Sequence, residues 1–116
     1  MEAAYIEVIC NRVHTRIPLQ SVLWINVSQN ASLLHTDSGV MKTYMTYKKM
    51  KALLEKRANC FLTCSTGCLV NMNRVERILG PDFLMQNGEQ VQIRKRDENL
   101  IKKSYLRYRG AEVATG

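Results

Sequence analysis

The chain has 116 residues, 46% of them apolar, and 17 Lys and Arg stand against 10 Asp and Glu for a formal net charge of +7. That length supports a core without metal or disulfide staples, and the composition excludes a disordered or collagen-like chain. No apolar run approaches the ~20 residues that a bilayer demands, and Met1-Glu2-Ala3-Ala4 lacks the charged and apolar regions of a signal peptide, so the expected location is the cytoplasm.

In chain order, Tyr5–Cys10 is β-branched and apolar and predicts a strand; Asn11-Arg12 predicts a turn, and Val13–Ile17 a returning strand ended by Pro18. Leu19-Gln20-Ser21 reads as a short turn before the apolar strand Val22–Val27. Ser28-Gln29-Asn30-Ala31 is small and polar and predicts a loop. Ser32–Thr36 and Val40–Met45 are then strands joined at Asp37-Ser38-Gly39. Thr46 caps a helix over Tyr47–Glu55 whose core stripe is Tyr47, Met50, Leu53 and Leu54. Cys60–Cys64 and Cys68-Leu69-Val70 are strands interrupted by Ser65-Thr66-Gly67, and Arg74–Leu79 is a further short segment. After the turn Gly80-Pro81-Asp82, the segments Phe83-Leu84-Met85 and Gln90–Ile93 flank Asn87-Gly88, the preferred pair of a two-residue type I′ hairpin. Arg94-Lys95-Arg96 is a basic loop. Asp97 then caps a final helix with a stripe of Leu100, Ile101, Ser104, Tyr105 and Tyr108, and the residues from 109 onward form a flexible tail. The whole is a mainly β domain of small antiparallel sheets with one middle helix and a C-terminal helix, occupying 1–116 as one unit.

A basic surface of this strength fits nucleic acid, an anionic membrane or an acidic partner. Its distribution favours the first, because Arg94, Lys95, Arg96, Lys102, Lys103, Arg107 and Arg109 crowd one stretch with only Asp97 and Glu98 among them. A second cluster is Lys48, Lys49, Lys51, Lys56 and Arg57. The default role of Lys48, Lys49, Lys51, Lys102 and Lys103 is to solvate a helix face. Cys60, Cys64 and Cys68 share a four-residue spacing, but zinc frameworks pair CxxC units or add histidines, and His14 and His35 lie far upstream. The cysteines, Cys10 included, therefore read as reduced structural thiols and no metal is expected. A Cys64 thiol beside the basic loop would be acidified and reactive. No GxSxG, Walker loop, HExxH or dinucleotide fingerprint occurs, the carboxylates are scattered, and no enzyme, cofactor or small-molecule substrate is expected. A helix-turn-helix needs two adjacent helices, whereas here several strands separate them.

The ordered stretch Phe61-Leu62-Thr63-Cys64-Ser65-Thr66-Gly67-Cys68-Leu69-Val70-Asn71-Met72-Asn73-Arg74-Val75-Glu76-Arg77-Ile78 resembles the signature of the LytTR family, bacterial DNA-binding output modules of response regulators. The Asn87-Gly88 hairpin, Val91-x-Ile93, Ile17-Pro18-Leu19, Val22-Leu23-Trp24-Ile25 and the Thr46–Glu55 helix extend the resemblance over Tyr5 to Tyr108. It implies a sequence-specific transcriptional regulator domain that contacts successive major grooves of double-stranded DNA through loops, with a second copy on an adjacent imperfect direct repeat. Carried over residue by residue, the contacts map to Gln29 and Asn30, to Ser65 and Thr66, and to Arg94, Lys95 and Arg96, with Lys48 and Lys49 flanking the duplex. The sequence departs from the family at Ser65-Thr66-Gly67, where His-Arg-Ser or His-Asn-Ser is common, at Asn26, where Glu is frequent, and at Ala31, near which an aromatic residue is usual. Ser and Thr cannot make the bidentate base contact of Arg or Asn, so the alternative is a protein-interaction or antagonist module with weak DNA readout.

Overall fold

A computed structural model describes residues 4–113, with side chains described through Gly110. The described residues form ten strands and two helices: β1 Tyr5–Cys10, β2 Val13–Pro18, β3 Val22–Ser28, β4 Ala31–Thr36, β5 Gly39–Thr43, α1 Tyr47–Arg57, β6 Phe61–Ser65, β7 Cys68–Asn71, β8 Val75–Leu79, β9 Asp82–Met85, β10 Gln90–Gln92 and α2 Glu98–Val113. Short 3-10 turns occupy Leu19–Ser21, Met72–Arg74 and Lys95–Asp97. The strands form an antiparallel seven-stranded sheet in the order β2-β1-β5-β4-β3-β7-β6 and a three-stranded sheet in the order β10-β9-β8.

In β1, Ile6, Val8 and Cys10 face inward while Tyr5, Glu7 and Ile9 face out, the period-two pattern of a half-covered strand. Asn11 and Arg12 both take positive φ (53° and 67°), the backbone that a two-residue type I′ connection requires. In the middle of the sheet the alternation disappears, because both faces are covered. All four residues of β7 are buried, and β3 and β7 feed two cores alternately. Ile25 and Leu69 join Ile6, Val8, Val22 and Leu34 under Met50 and Leu54 of α1. Leu23, Cys68 and Val70 join Phe83, Met85 and Val91 of the small sheet, and Ile93 just beyond it, under Ile101 and Tyr105 of α2.

Three polar devices organise the junction between the two sheets. Asn71 is 1% exposed; its Nδ2 donates to the carbonyls of Leu19 (3.3 Å) and Val22 (2.9 Å), and its Oδ1 accepts from the Asn73 amide (3.0 Å). Arg74 donates to both carboxylate oxygens of Asp37 (2.7 and 3.0 Å) in the β4–β5 turn and to Gln86 Oε1 (2.7 Å). Trp24 stacks flat on His35 at 3.6 Å, and its indole N–H donates to Glu89 in the β9–β10 loop (3.1 Å).

Several local expectations are corrected. Ser28 and Ala31 are a strand pair, so the β3–β4 loop shrinks to Gln29-Asn30, and Ala31 is buried. Strand β5 stops at Thr43, whose hydroxyl donates to the Ile9 carbonyl (3.0 Å) and accepts from the Met45 amide. Asp82, expected in a turn, opens β9 and pairs with Leu79 and Gln92. The Asn87-Gly88 connection is not type I′. Gly88 donates to the Met85 carbonyl and the Met85 amide donates to Glu89, with only Gly88 at positive φ. This is the three-residue type I turn with a glycine bulge. Helix α1 extends to Arg57, and Thr46 Oγ1 accepts from the Lys49 amide (3.3 Å) as expected of its cap. Asp97 lies inside the 3-10 turn that runs straight into α2, its carboxylate 3.7 Å from Arg94. Leu100 is 67% exposed and leaves the core stripe to Ile101 and Tyr105, one residue further round the helix. Residues 109–113, expected as tail, continue α2; Ala114-Thr115-Gly116 lie outside the described residues.

Candidate nucleic-acid interface

The pairing of β3 with β7 places one end of each hairpin beside the other. After the pairs Trp24↔Val70, Ile25↔Leu69 and Asn26↔Cys68, the Val27 amide donates to the Gly67 carbonyl (2.9 Å). The β3–β4 turn at Gln29-Asn30 therefore adjoins the β6–β7 turn at Thr66-Gly67. On the other side of β6, the Arg94 amide donates to the Cys64 carbonyl (2.7 Å), which brings the turn Lys95–Asp97 to the same edge. Gln29, Asn30, Ser65, Thr66, Arg94, Lys95 and Arg96 thus gather at one end of the large sheet, although more than sixty positions separate the first from the last.

The turn chemistry explains the Ser65-Thr66-Gly67 sequence. Gly67 has φ 71°, and a Cβ there would stand 2.5 Å from Val27 Cγ1, so the close approach of the two hairpins needs a glycine. Gln29, at φ 55°, holds the same left-handed region without being glycine or asparagine, a strain of about 1–2 kcal/mol. Such strain is stored where the surroundings over-determine the backbone.

The positive charge at this edge is not uniform. The Arg94 guanidinium lies 3.7 Å from the Asp97 carboxylate. Lys102 is spent on Glu98 (2.6 Å), and Arg109 donates to the Val75 carbonyl and to the Tyr105 hydroxyl (3.0 Å each). Lys95 and Arg96 are exposed and make no ion pair among the described residues, so their charge is directed to solvent. Lys103 and Arg107 are exposed further along α2.

A cavity of about 370 Å³ opens beside the loop cluster, lined by Tyr47 and Lys51 of α1, Ser65, Thr66 and Gly67 of the turn, and Arg94 and Leu100 beyond β10. Lys51, which the sequence offers only as one of a cluster of solvating lysines, is a further cation at this edge. It lies four residues from Tyr47 on the same helix face, and that spacing could have singled it out. Lys49, by contrast, lines a separate cavity with Ile9, Arg12 and Tyr44, while Lys48 is exposed on α1 and lines neither. The Tyr47 hydroxyl is buried without a partner among the described residues, and burial pushes its ionisation upward.

All four cysteines are free and buried. Cys64 does neighbour the basic turn through its carbonyl, but its thiol is fully buried. A hydrogen bond to Cys68 and desolvation push its ionisation up, which overturns the expectation of a reactive Cys64 thiolate. Among the described residues no group of three or more Cys, His, Asp or Glu is arranged to hold a metal, and no helix is long and apolar enough to cross a membrane.

A family model described as the LytTr DNA-binding domain matches residues 13–105. Among solved structures, the LytTr DNA-binding domain of a Bacillus cereus protein described as a methyl-accepting/DNA response regulator superposes with a TM-score of 0.68. The two chains are 15% identical, and the match covers 89% of this chain and 96% of that one. At that identity the likeness is one of fold. Among curated proteins none matches the chain.

Proposed function

The chain belongs to the LytTr DNA-binding domain family, and from that premise we propose that it is a cytoplasmic transcription-regulator domain that reads duplex DNA in a sequence-specific manner through the loop end of its large sheet. The observation that carries this reading is the convergence of the Gln29-Asn30 turn, the Ser65-Thr66 turn and the Arg94–Arg96 segment at one edge, with Lys95 and Arg96 directed outward. Two exposed cations beside polar turns suit a division of labour. Lys95 and Arg96 neutralise phosphates and set the register of the domain on the duplex, while Gln29, Asn30, Ser65 and Thr66 approach base edges. A side-chain amide can bond adenine bidentately, whereas a hydroxyl offers a single contact, so Gln29 and Asn30 carry more of the discrimination than Ser65 and Thr66. Arg94, turned to Asp97, contributes less charge. Lys51 approaches the duplex from the same edge, and Lys48 and Lys49 flank it more distantly.

Two copies bind in tandem on an imperfect direct repeat. Selection from a random duplex pool tests the reading, with an enriched repeat of two half-sites as the expected product. Recovery of no motif, with only weak and uniform duplex binding, would instead favour a protein-interaction module. The feature supporting that second reading is the Ser65-Thr66-Gly67 turn, which lacks any side chain capable of a bidentate base contact.

A further inference from the structure

We propose that Cys64 and Cys68 are a modification site, a dithiol that a hydroperoxide converts to a disulfide closing the base of the Thr66-Gly67 turn. The geometry is already close to that of the bond. Thr63 pairs with Leu69 and Ser65 with Cys68, while Cys64 falls in the bulge between those pairs. Its Sγ lies 3.2 Å from Cys68 Sγ. A disulfide needs about 2.05 Å, so the sulfurs must approach by little more than about 1 Å. The other thiols do not share this placement: Cys10 and Cys60 belong to the core under α1, whereas Cys64 and Cys68 belong to the core under α2.

The two sulfurs are also chemically unequal. Cys64 S–H donates to Cys68 Sγ, a contact that favours the Cys68 thiolate and keeps the proton on Cys64. Cys68 is 7% exposed and follows Gly67 at the turn, whereas Cys64 is fully buried. Cys68 is therefore the attacking sulfur and Cys64 the resolving one. In the first step the Cys68 thiolate forms an S–O bond to a peroxide oxygen, the O–O bond breaks, and the leaving hydroxide takes a proton to become water (an alcohol from an organic hydroperoxide). In the second step the Cys64 sulfur attacks the sulfenic sulfur. The S–S bond forms, the S–O bond breaks, and the departing hydroxide leaves as water with the Cys64 proton. The two thiols lose two electrons in total and the hydroperoxide gains them. A dithiol reductant reverses the change by exchange.

The ring so formed encloses Ser65, Thr66 and Gly67. Its neighbours on either side are tied to it through Val27 N–Gly67 O and Arg94 N–Cys64 O, so contraction at the sulfurs displaces both adjoining loops. On the DNA-binding reading proposed above, the oxidised form binds duplex several-fold more weakly than the reduced form.

The test treats the reduced full chain with hydrogen peroxide, alkylates under denaturing conditions and counts modified thiols by mass. Two of the four cysteines should be protected, with the loss of two hydrogens, and reductant should restore all four. Fragmentation of the tryptic peptide 58–74, which also carries Cys60, assigns the bond. Cys64→Ala and Cys68→Ala should each abolish the reversible protection. Four alkylated thiols, a bond that includes Cys10 or Cys60, a cross-linked dimer or irreversible oxidation of Cys68 would overturn the proposal. None of these readings involves DNA. Failure of the reduced protein to bind duplex would count against the DNA-binding reading and leave the disulfide standing.

Discussion

Strand β7 is buried along its whole length, yet its two ends are built on opposite principles. At its C-terminal end Asn71 satisfies two distant carbonyls and one local amide inside the core, and Arg74 clamps Asp37 just beyond. At its N-terminal end the chain makes a glycine-dependent turn, a strained neighbour at Gln29 and a pair of cations that form no ion pair among the described residues, all facing solvent. Stability concentrates at the first end, and the proposed recognition surface lies at the second. The same four-residue strand transmits the register of one to the other, because slipping β7 by a residue would exchange its two core faces.

If the ends are separable in this way, variants at each should move different observables. The largest effect is expected for Asn71→Ala, which strips a buried donor from Leu19 and Val22 and should lower unfolding stability by about 3 kcal/mol. Urea denaturation measures it, and duplex affinity per folded molecule should be unchanged. Gly67→Ala comes next. The positive φ and the contact with Val27 should cost about 2 kcal/mol, and because Val27 leads into the Gln29 turn, duplex affinity should fall as well. A Gly67→Ala protein with native stability would show that the hairpins are not tightly apposed.

Asp37→Asn should cost about 1 kcal/mol near neutral pH, since the pair is half exposed and partly screened. The hydrogen bonds from Arg74 hold the Asp37 carboxyl below its ordinary range. The pair's contribution is therefore fully present above the unfolded value of about 3.9 and is lost as pH falls through the lower folded value. In the Asn variant this component of acid destabilisation should disappear from the pH dependence of the urea midpoint. The smallest effect is expected for Gln29→Gly, a gain of less than about 1 kcal/mol as backbone strain is relieved, offset by the entropy of glycine. It should be accompanied by looser sequence discrimination on DNA. A stability gain without any change in discrimination would separate the strain from recognition.

The stable end was the more readable one. The β-branched, apolar run Tyr5–Cys10 marked β1, Thr46 marked the start of α1, and the buried amide at the stable end belongs to Asn71, directly after the expected strand Cys68-Leu69-Val70. Its partners, Leu19 and Val22, were out of reach because they lie some fifty positions upstream. Local signals misled where a choice depended on geometry that composition does not carry. Asn87-Gly88 suits a type I′ turn, but the register of β9 with β10 leaves three residues in the loop. In α2, adjacent Leu100 and Ile101 are equally apolar, and only the docking angle on the small sheet decides that Ile101 is the buried one. At the loop end the candidate residues came from family resemblance, while their assembly follows from the long-range pairing of β3 with β7. Lys51 was grouped with the solvating lysines because it sits among them and differs from Lys48 and Lys49 only in which side of α1 it occupies.

The most direct measurement is the salt dependence of duplex binding for the unaltered chain and for the Lys95→Ala/Arg96→Ala variant, with urea stability measured alongside. If both side chains neutralise phosphates, the slope of log Kobs against log salt becomes shallower by about 1.8, affinity falls, and stability changes by no more than about 0.5 kcal/mol. An unchanged slope and affinity in the folded double variant would contradict the assignment of this end of the sheet as the DNA-binding surface.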